Sequence, residues 1–254
     1  MIDTHAHLYA EEFDHDRDAM IQRAKDAGVQ KIILPNVDSN SLHRMLGLES
    51  RYNGFCYAAI GAHPTSVGSN FESELNLVRS ELERRSWVAI GEIGIDLYWD
   101  NTYIEEQKEA FRRQLAWSVE FNLPVIIHVR DSFAETMSVL NEFSGKGLRG
   151  VFHSFTGNNQ EASSVIAYGG FMLGINGIVT FKNAGLAECL CNISPEYMLL
   201  ETDAPYLSPV PYRGKRNESS YLQLIAQKVA EQVGCTFNEL KGITTANAQK
   251  LFKL

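Results

Sequence analysis

Apolar runs of four to six residues recur along the chain, and between them apolar positions fall at three- and four-residue spacing. The runs are Met1 to His5, Lys31 to Pro35, Cys56 to Gly61, Trp87 to Glu92, Val125 to His128, Gly150 to His153, Phe171 to Ile175 and Met198 to Glu201. Their shortness and β-branched content predict strands. They are too continuously apolar to be solvated on one face, as expected of parallel strands covered on both sides. The stretches between them predict helices. Asp16 to Ala27 stops at Gly28; in Ile104 to Phe121, Phe111, Leu115 and Val119 recur every four residues before Pro124 forbids continuation. Thr236 and Glu239 have capping-box spacing and predict a last helix, Asn238 to Phe252. Eight strands alternating with helices predict an α/β fold, a TIM-type (β/α)8 barrel in a single domain over 1–254. An open doubly wound sheet fits less well. No Gly-x-Gly-x-x-Gly follows the first run, and the polar candidates follow many strands instead of clustering at one crevice.

Composition narrows the setting. The longest apolar runs are far too short to cross a bilayer, and the first residues lack a basic segment followed by an apolar one, so neither a membrane span nor a targeting signal is expected. Cys56, Cys189, Cys191 and Cys235 are too sparse for a disulfide framework, which points to a reducing cytoplasm. A net charge of −8 excludes a broad basic face that coats nucleic acid; any phosphate must be held locally. No obligate protein partner is evident.

His5 and His7 stand two apart, so a strand puts both imidazoles on one face. Isolated, such a pair is as readily two polar residues closing a strand. But His63, Glu92, His128, His153 and Asp203 also fall at or just after strand ends, where a TIM barrel gathers its active-site residues. Five of the seven histidines lie in this set. Burying such groups unpaired costs about 2 kcal/mol or more each, so their convergence calls for a cation. A catalytic zinc takes about three protein ligands; five or six are offered here, which predicts two ions, with Glu92 placed to bridge them. Magnesium, manganese, zinc and iron all suit a mixed histidine and carboxylate set.

The segments Ile2-Asp3-Thr4-His5-Ala6-His7-Leu8, Gly61-Ala62-His63-Pro64, Gly91-Glu92-Ile93-Gly94-Ile95-Asp96, His128-Val129-Arg130, His153-Ser154-Phe155, Glu201-Thr202-Asp203-Ala204-Pro205-Tyr206-Leu207 and Pro211-Tyr212-Arg213-Gly214-Lys215-Arg216-Asn217 together resemble the TatD family, and the resemblance runs the length of the chain. It implies a barrel of the amidohydrolase superfamily that hydrolyses phosphodiesters in DNA, often as a 3′ to 5′ exonuclease on single strands. It also implies that His5, His7, Glu92 and Asp203 hold one ion, that Glu92, His128 and His153 hold the other, and that His63 contacts substrate.

The remaining candidates are weighed one by one. Asp203 ends a strand, where it can ligate metal and accept the attacking water's proton; a helix N-cap is the plainer role. Glu201, two residues earlier, either orients a ligand histidine or makes a structural ion pair. Arg130 either faces a phosphate or pairs with Asp131 or Glu135. Arg213, Lys215 and Arg216 form the one dense basic cluster after a strand, where barrels often hold phosphate. Tyr206 and Tyr212 in that loop either stack on bases or pack. Asp96 is expected to order its loop. Together these predict a two-metal phosphodiesterase, with Asp203 and Glu92 as catalytic groups and His63, Arg130, Arg213, Lys215, Arg216 and Tyr206 on substrate. A small-molecule amidohydrolase or lactonase on the same fold is the alternative.

Overall fold

The computed structural model describes residues 1–182 and 184–254. Parallel strands and helices alternate as β1 (Ile2–Asp3), α1 (Arg17–Asp26), β2 (Lys31–Pro35), α2 (Ser39–Arg51), β3 (Cys56–Ala59), α3 (Phe71–Arg84), β4 (Ile90–Asp96), α4 (Ile104–Phe121), β5 (Val125–Arg130), α5 (Phe133–Asn141), β6 (Gly150–Phe152), α6 (Asn159–Tyr168), β7 (Phe171–Ile175), α7 (Leu186–Leu190), β8 (Met198–Leu200), α8 (Leu222–Val233) and α9 (Phe237–Phe252). Capping boxes start three of the helices: Asp38 with Ser41, Asn158 with Glu161, and Thr236 with Glu239. Helix α4 ends where Asn122 turns left-handed ahead of Pro124. Val119, expected in its apolar stripe, is exposed, whereas Phe111 and Leu115 are buried.

The strands form two ladders, β1-β2-β3 and β4-β5-β6-β7-β8. Two seams join them into a closed barrel. At one, Ile60 bridges Ile90 and Gly91 N–H donates to Ile60 O at 2.9 Å. At the other, Ala6 bridges Ala204, Thr4 N–H donates to Leu200 O at 3.1 Å and Asp203 N–H donates to His5 O at 2.9 Å. Asp3 fastens this second seam: its buried carboxylate accepts from Thr202 N, Thr202 Oγ1 and Ser219 Oγ at 2.9, 2.7 and 2.6 Å. Burial pushes its pKa up to about 7 in spite of those bonds.

Side chains alternate across each strand, so one face lines the barrel and the other meets the helices. Ile2, Ile33, Ala59, Ile126, Val151 and Leu199 fill the lower interior, and Ala248, Leu251 and Phe252 of α9 plug it. Two residues further along three of these strands come His128, His153 and Glu201. The inward face that is apolar below thus carries the polar candidates above, at the C-terminal mouth. Among the described residues no helix is long and apolar enough to cross a membrane.

Strand β1 is shorter than expected and β5 runs on to Arg130, but β4 departs most. Trp87 and Val88 precede β4, with Trp87 Nε1 donating to Glu81 O at 2.8 Å, and the strand runs on to Asp96. Glu92 therefore sits inside a strand, not at its end.

Candidate metal centre

The mouth of the barrel gathers His5, His7, His63, Glu92, His128, His153 and Asp203. Glu92 is almost wholly buried at their centre and presents its two oxygens to different neighbours. Oε2 lies 3.1 Å from His5 Nε2 and 3.7 Å from His7 Nε2. Oε1 lies 2.8 Å from His128 Nδ1, 3.3 Å from His63 Nε2 and 3.7 Å from His153 Nε2. Asp203 Oδ1 adds a second carboxylate, 3.7 Å from His5 Nε2 and 3.6 Å from His7 Nε2. Three donor groups result: His5, His7 and Asp203; His5, Glu92 and His153; and His63, Glu92 and His128.

His153 approaches the same Glu92 oxygen as His128 and also reaches the other half of the site. Its ring stacks on that of His5 with centroids 3.4 Å apart, and Nε2 lies 3.8 Å from Asp203 Oδ1, so it stands between the two halves of the site.

The donor chemistry fits divalent cations. His5 and His7 bring their Nε2 atoms within 3.2 Å of each other, and the buried His5 Nδ1 has no hydrogen-bond partner. Imidazole nitrogens turned together beside two carboxylates are the borderline ligand set that such ions take. The electrostatics agree. Burial works to raise the pKa of Glu92, yet the charges of His5, His63 and His153 hold it well below the usual carboxylate range. For Asp203, too, burial is outweighed by His153 and by the bond with His7, and its pKa is lowered. Burial disfavours a charged His153, but Glu201, Glu92 and Asp203 raise its pKa to about 10. The cluster thus demands positive charge at its centre, and a cation competes there with a proton.

The far nitrogens of His7, His128 and His153 also have close neighbours. Tyr9 Oη lies 2.9 Å from His7 Nδ1 and donates to Pro35 O at 2.6 Å, so the His7 nitrogen is the donor and its Nε2 is free to ligate. Asp96 Oδ2 lies 2.8 Å from His128 Nε2, and Glu201 Oε1 lies 2.9 Å from His153 Nδ1. Asp96, as a hydrogen-bonded carboxylate partner, fixes the His128 ring and raises its basicity, whereas Glu201 meets His153 as a charge contact without hydrogen-bond geometry. Asp96 does the expected ordering as well, since its Oδ1 accepts from Tyr98 N and Trp99 N at 3.0 and 3.1 Å. Glu201 fits only because Gly174 lies beneath it; a Cβ there would stand 2.3 Å from Glu201 Oε2.

His63 differs. Its Nδ1 accepts from Thr65 N–H at 3.1 Å, which leaves the proton on Nε2, the nitrogen that faces Glu92 and His128. It presents a hydrogen-bond donor to the centre.

The basic candidates separate. Arg213 and Lys215 are exposed, with Arg213 over the Phe181 ring at 4.1 Å. Arg216, expected on substrate, bonds Asp16 through both terminal nitrogens, at 2.7 and 2.8 Å, and its guanidinium lies over Phe13. Arg216→Ala is expected to cost about 1 kcal/mol or less, the pair being partly solvated, and less still in high salt. Urea denaturation reads this, and a raised KM for substrate would return Arg216 to the binding surface. Arg130 pairs with neither Asp131 nor Glu135 but lies over Tyr98 at 4.6 Å. Tyr206 is exposed with its ring 6.1 Å from His7, whereas Tyr212 stacks on Tyr221.

Sequence reasoning misses Tyr9, although His7-Leu8-Tyr9 repeats the two-residue spacing that pairs His5 with His7. It also misses the exposed pair Tyr98 and Trp99, whose signal is two adjacent aromatics in a polar loop just beyond β4.

A (β/α)8 barrel with histidines and carboxylates converging at its C-terminal mouth defines a metal-dependent hydrolase. The family model described as TatD related DNase matches residues 2–253. The chain is 40% identical, over all of its length and 99% of the relative's, to an uncharacterized metal-dependent hydrolase, YabD, of Bacillus subtilis. It is 35% identical, over the full length of both, to the 3′-5′ ssDNA/RNA exonuclease TatD of Pectobacterium parmentieri. Its fold superposes on the crystal structure of the TatD homolog YJJV from Escherichia coli with a TM-score of 0.93 at 30% identity, covering 100% of this chain and 98% of the other. The chain belongs to the TatD related DNase family.

Proposed function

We propose that this chain cleaves phosphodiester bonds of single-stranded DNA, releasing nucleotides from the 3′ end, with two divalent ions at the barrel mouth. The observation that carries the reading is Glu92, whose two oxygens face separate donor groups as a bridging carboxylate requires. His5, His7 and Asp203 would hold one ion and His128 the other, with Glu92 between them and His153 on the boundary. Such ions supply Lewis acidity toward phosphoryl oxygens and lower the pKa of water.

The protein's own groups do the rest. Asp203, held ionised, accepts the proton of the attacking water. His63 points an N–H at the same centre and donates to a phosphoryl oxygen. Arg213 and Lys215, exposed on the loop after β8, hold phosphates further along the strand. The named activity of the Pectobacterium relative supports a nucleic-acid substrate.

Cleavage of 3′-labelled and 5′-labelled single strands across a series of divalent metals tests polarity and metal together. His128→Ala is expected to lose metal-dependent cleavage by two orders of magnitude or more; full activity in that variant would sink the reading.

A further inference from the structure

Tyr98 and Trp99 are 54% and 75% exposed, whereas the other tryptophans, Trp87 and Trp117, are buried. Their exposure does not come from a loose loop. Asp96 Oδ1 holds both backbone N–H groups, and the Gln107 side chain braces Asp96 in turn, with Oε1 accepting from Asp96 N at 2.9 Å and Nε2 donating to Asp96 O at 3.1 Å. The rings meet edge to face, centroids 5.0 Å apart and planes at 87°. Arg130 covers Tyr98, leaving Trp99 as the open surface.

The pair is also tied to the candidate centre. The carboxylate that orders the aromatic loop is the one that meets His128 Nε2 at 2.8 Å. Beside Trp99 runs a cleft of about 220 Å³, its wall lined by Asp96, Asp100 and Tyr103 and by Pro64 to Gly68, which follow His63. Two carboxylates in that wall repel phosphate. An aromatic face with hydrogen-bond acceptors beside it suits the base, with its exocyclic amino groups, while Arg130 suits the intervening phosphate.

We infer that Tyr98, Trp99 and Arg130 form a platform on which an unpaired base of the substrate strand stacks, so that a flanking nucleotide positions the scissile phosphate. This rests on the nucleic-acid reading above. A base inside a duplex is stacked on both faces and has none to offer, so the platform favours a strand whose flanking bases are unpaired.

Steady-state kinetics of the metal-loaded enzyme test it, with a single-stranded oligonucleotide and with the same strand carrying abasic residues beside the scissile end. Trp99→Ala is expected to raise KM about tenfold, with a much smaller change in kcat, and Trp99→Phe to recover most of the loss. Abasic residues should raise KM for the unaltered enzyme and add nothing in Trp99→Ala. Tyr197→Ala, at an exposed aromatic just before β8 on the opposite end of the barrel, should behave as the unaltered protein. An unchanged KM in Trp99→Ala, or a full abasic penalty in that variant, overturns the platform while leaving the nuclease reading intact. If the unaltered enzyme cleaves no oligonucleotide at all, the nuclease reading fails and the platform falls with it.

Discussion

Glu92→Gln is expected to lower hydrolysis on the order of a thousandfold and to reduce the metal retained after dialysis. Glutamine keeps the shape of the side chain, so packing against the barrel interior survives. What is lost is the negative charge and one of two oxygens that face different donor groups. The amide nitrogen would turn a donor toward either His5 or His128, the nitrogens a cation needs free. The loss also removes one of the charges that raise His153, so its proton affinity should fall. Metal content by emission spectroscopy, read beside the rate, is the measurement. Unchanged metal content together with an unchanged rate would show that Glu92 bridges nothing.

Gly94→Ala is expected to destabilise the protein by about 3 kcal/mol or more, through backbone overlap. Gly94 has φ of +149°, and a Cβ built on it would lie 2.0 Å from His128 O and 2.9 Å from the His128 carbonyl carbon. That contact is with main chain, in the ladder where Gly94 pairs with His128, so it cannot be relieved by turning a side chain. To accommodate a methyl group, β4 must move from β5, carrying Glu92 and Asp96 away from the histidine they both touch. Urea unfolding of the purified variant measures the loss. An unfolding midpoint equal to that of the unaltered protein would mean the strands part there at little cost.

These two positions show what the sequence discloses and where it stops. The barrel was legible because its strands are short, continuously apolar and separated by helical periods, and the ligand candidates because histidine and carboxylate are rare at the ends of such strands. Strand β4 runs past the expected end at Glu92 because Ile93 to Asp96, with a glycine and an acid among its isoleucines, has a pattern that propensity reads as a loop, while cross-strand bonding makes it a strand. Arg216 looked free because Asp16, its partner, lies two hundred residues away in the chain. Asp96 is expected to order its loop, and its Oδ1 does serve Tyr98 and Trp99; the contact of Oδ2 with His128 depends on a neighbouring strand. The aromatic pair is hard to read for a simpler reason: tryptophan is usually buried, and the only local signal to the contrary is the polar loop around Tyr98 and Trp99.

The two seams of the barrel give the centre a second office. The first ladder supplies His5, His7 and His63; the second supplies Glu92, His128, His153 and Asp203. An ion gripped by His5 and Asp203, or by His5 and Glu92, therefore has one hand on each ladder, across lines where the strands share few bonds of their own. Loading the centre would act as a clasp on the cylinder, and stripping it would leave the three-strand and five-strand walls freer to move against each other.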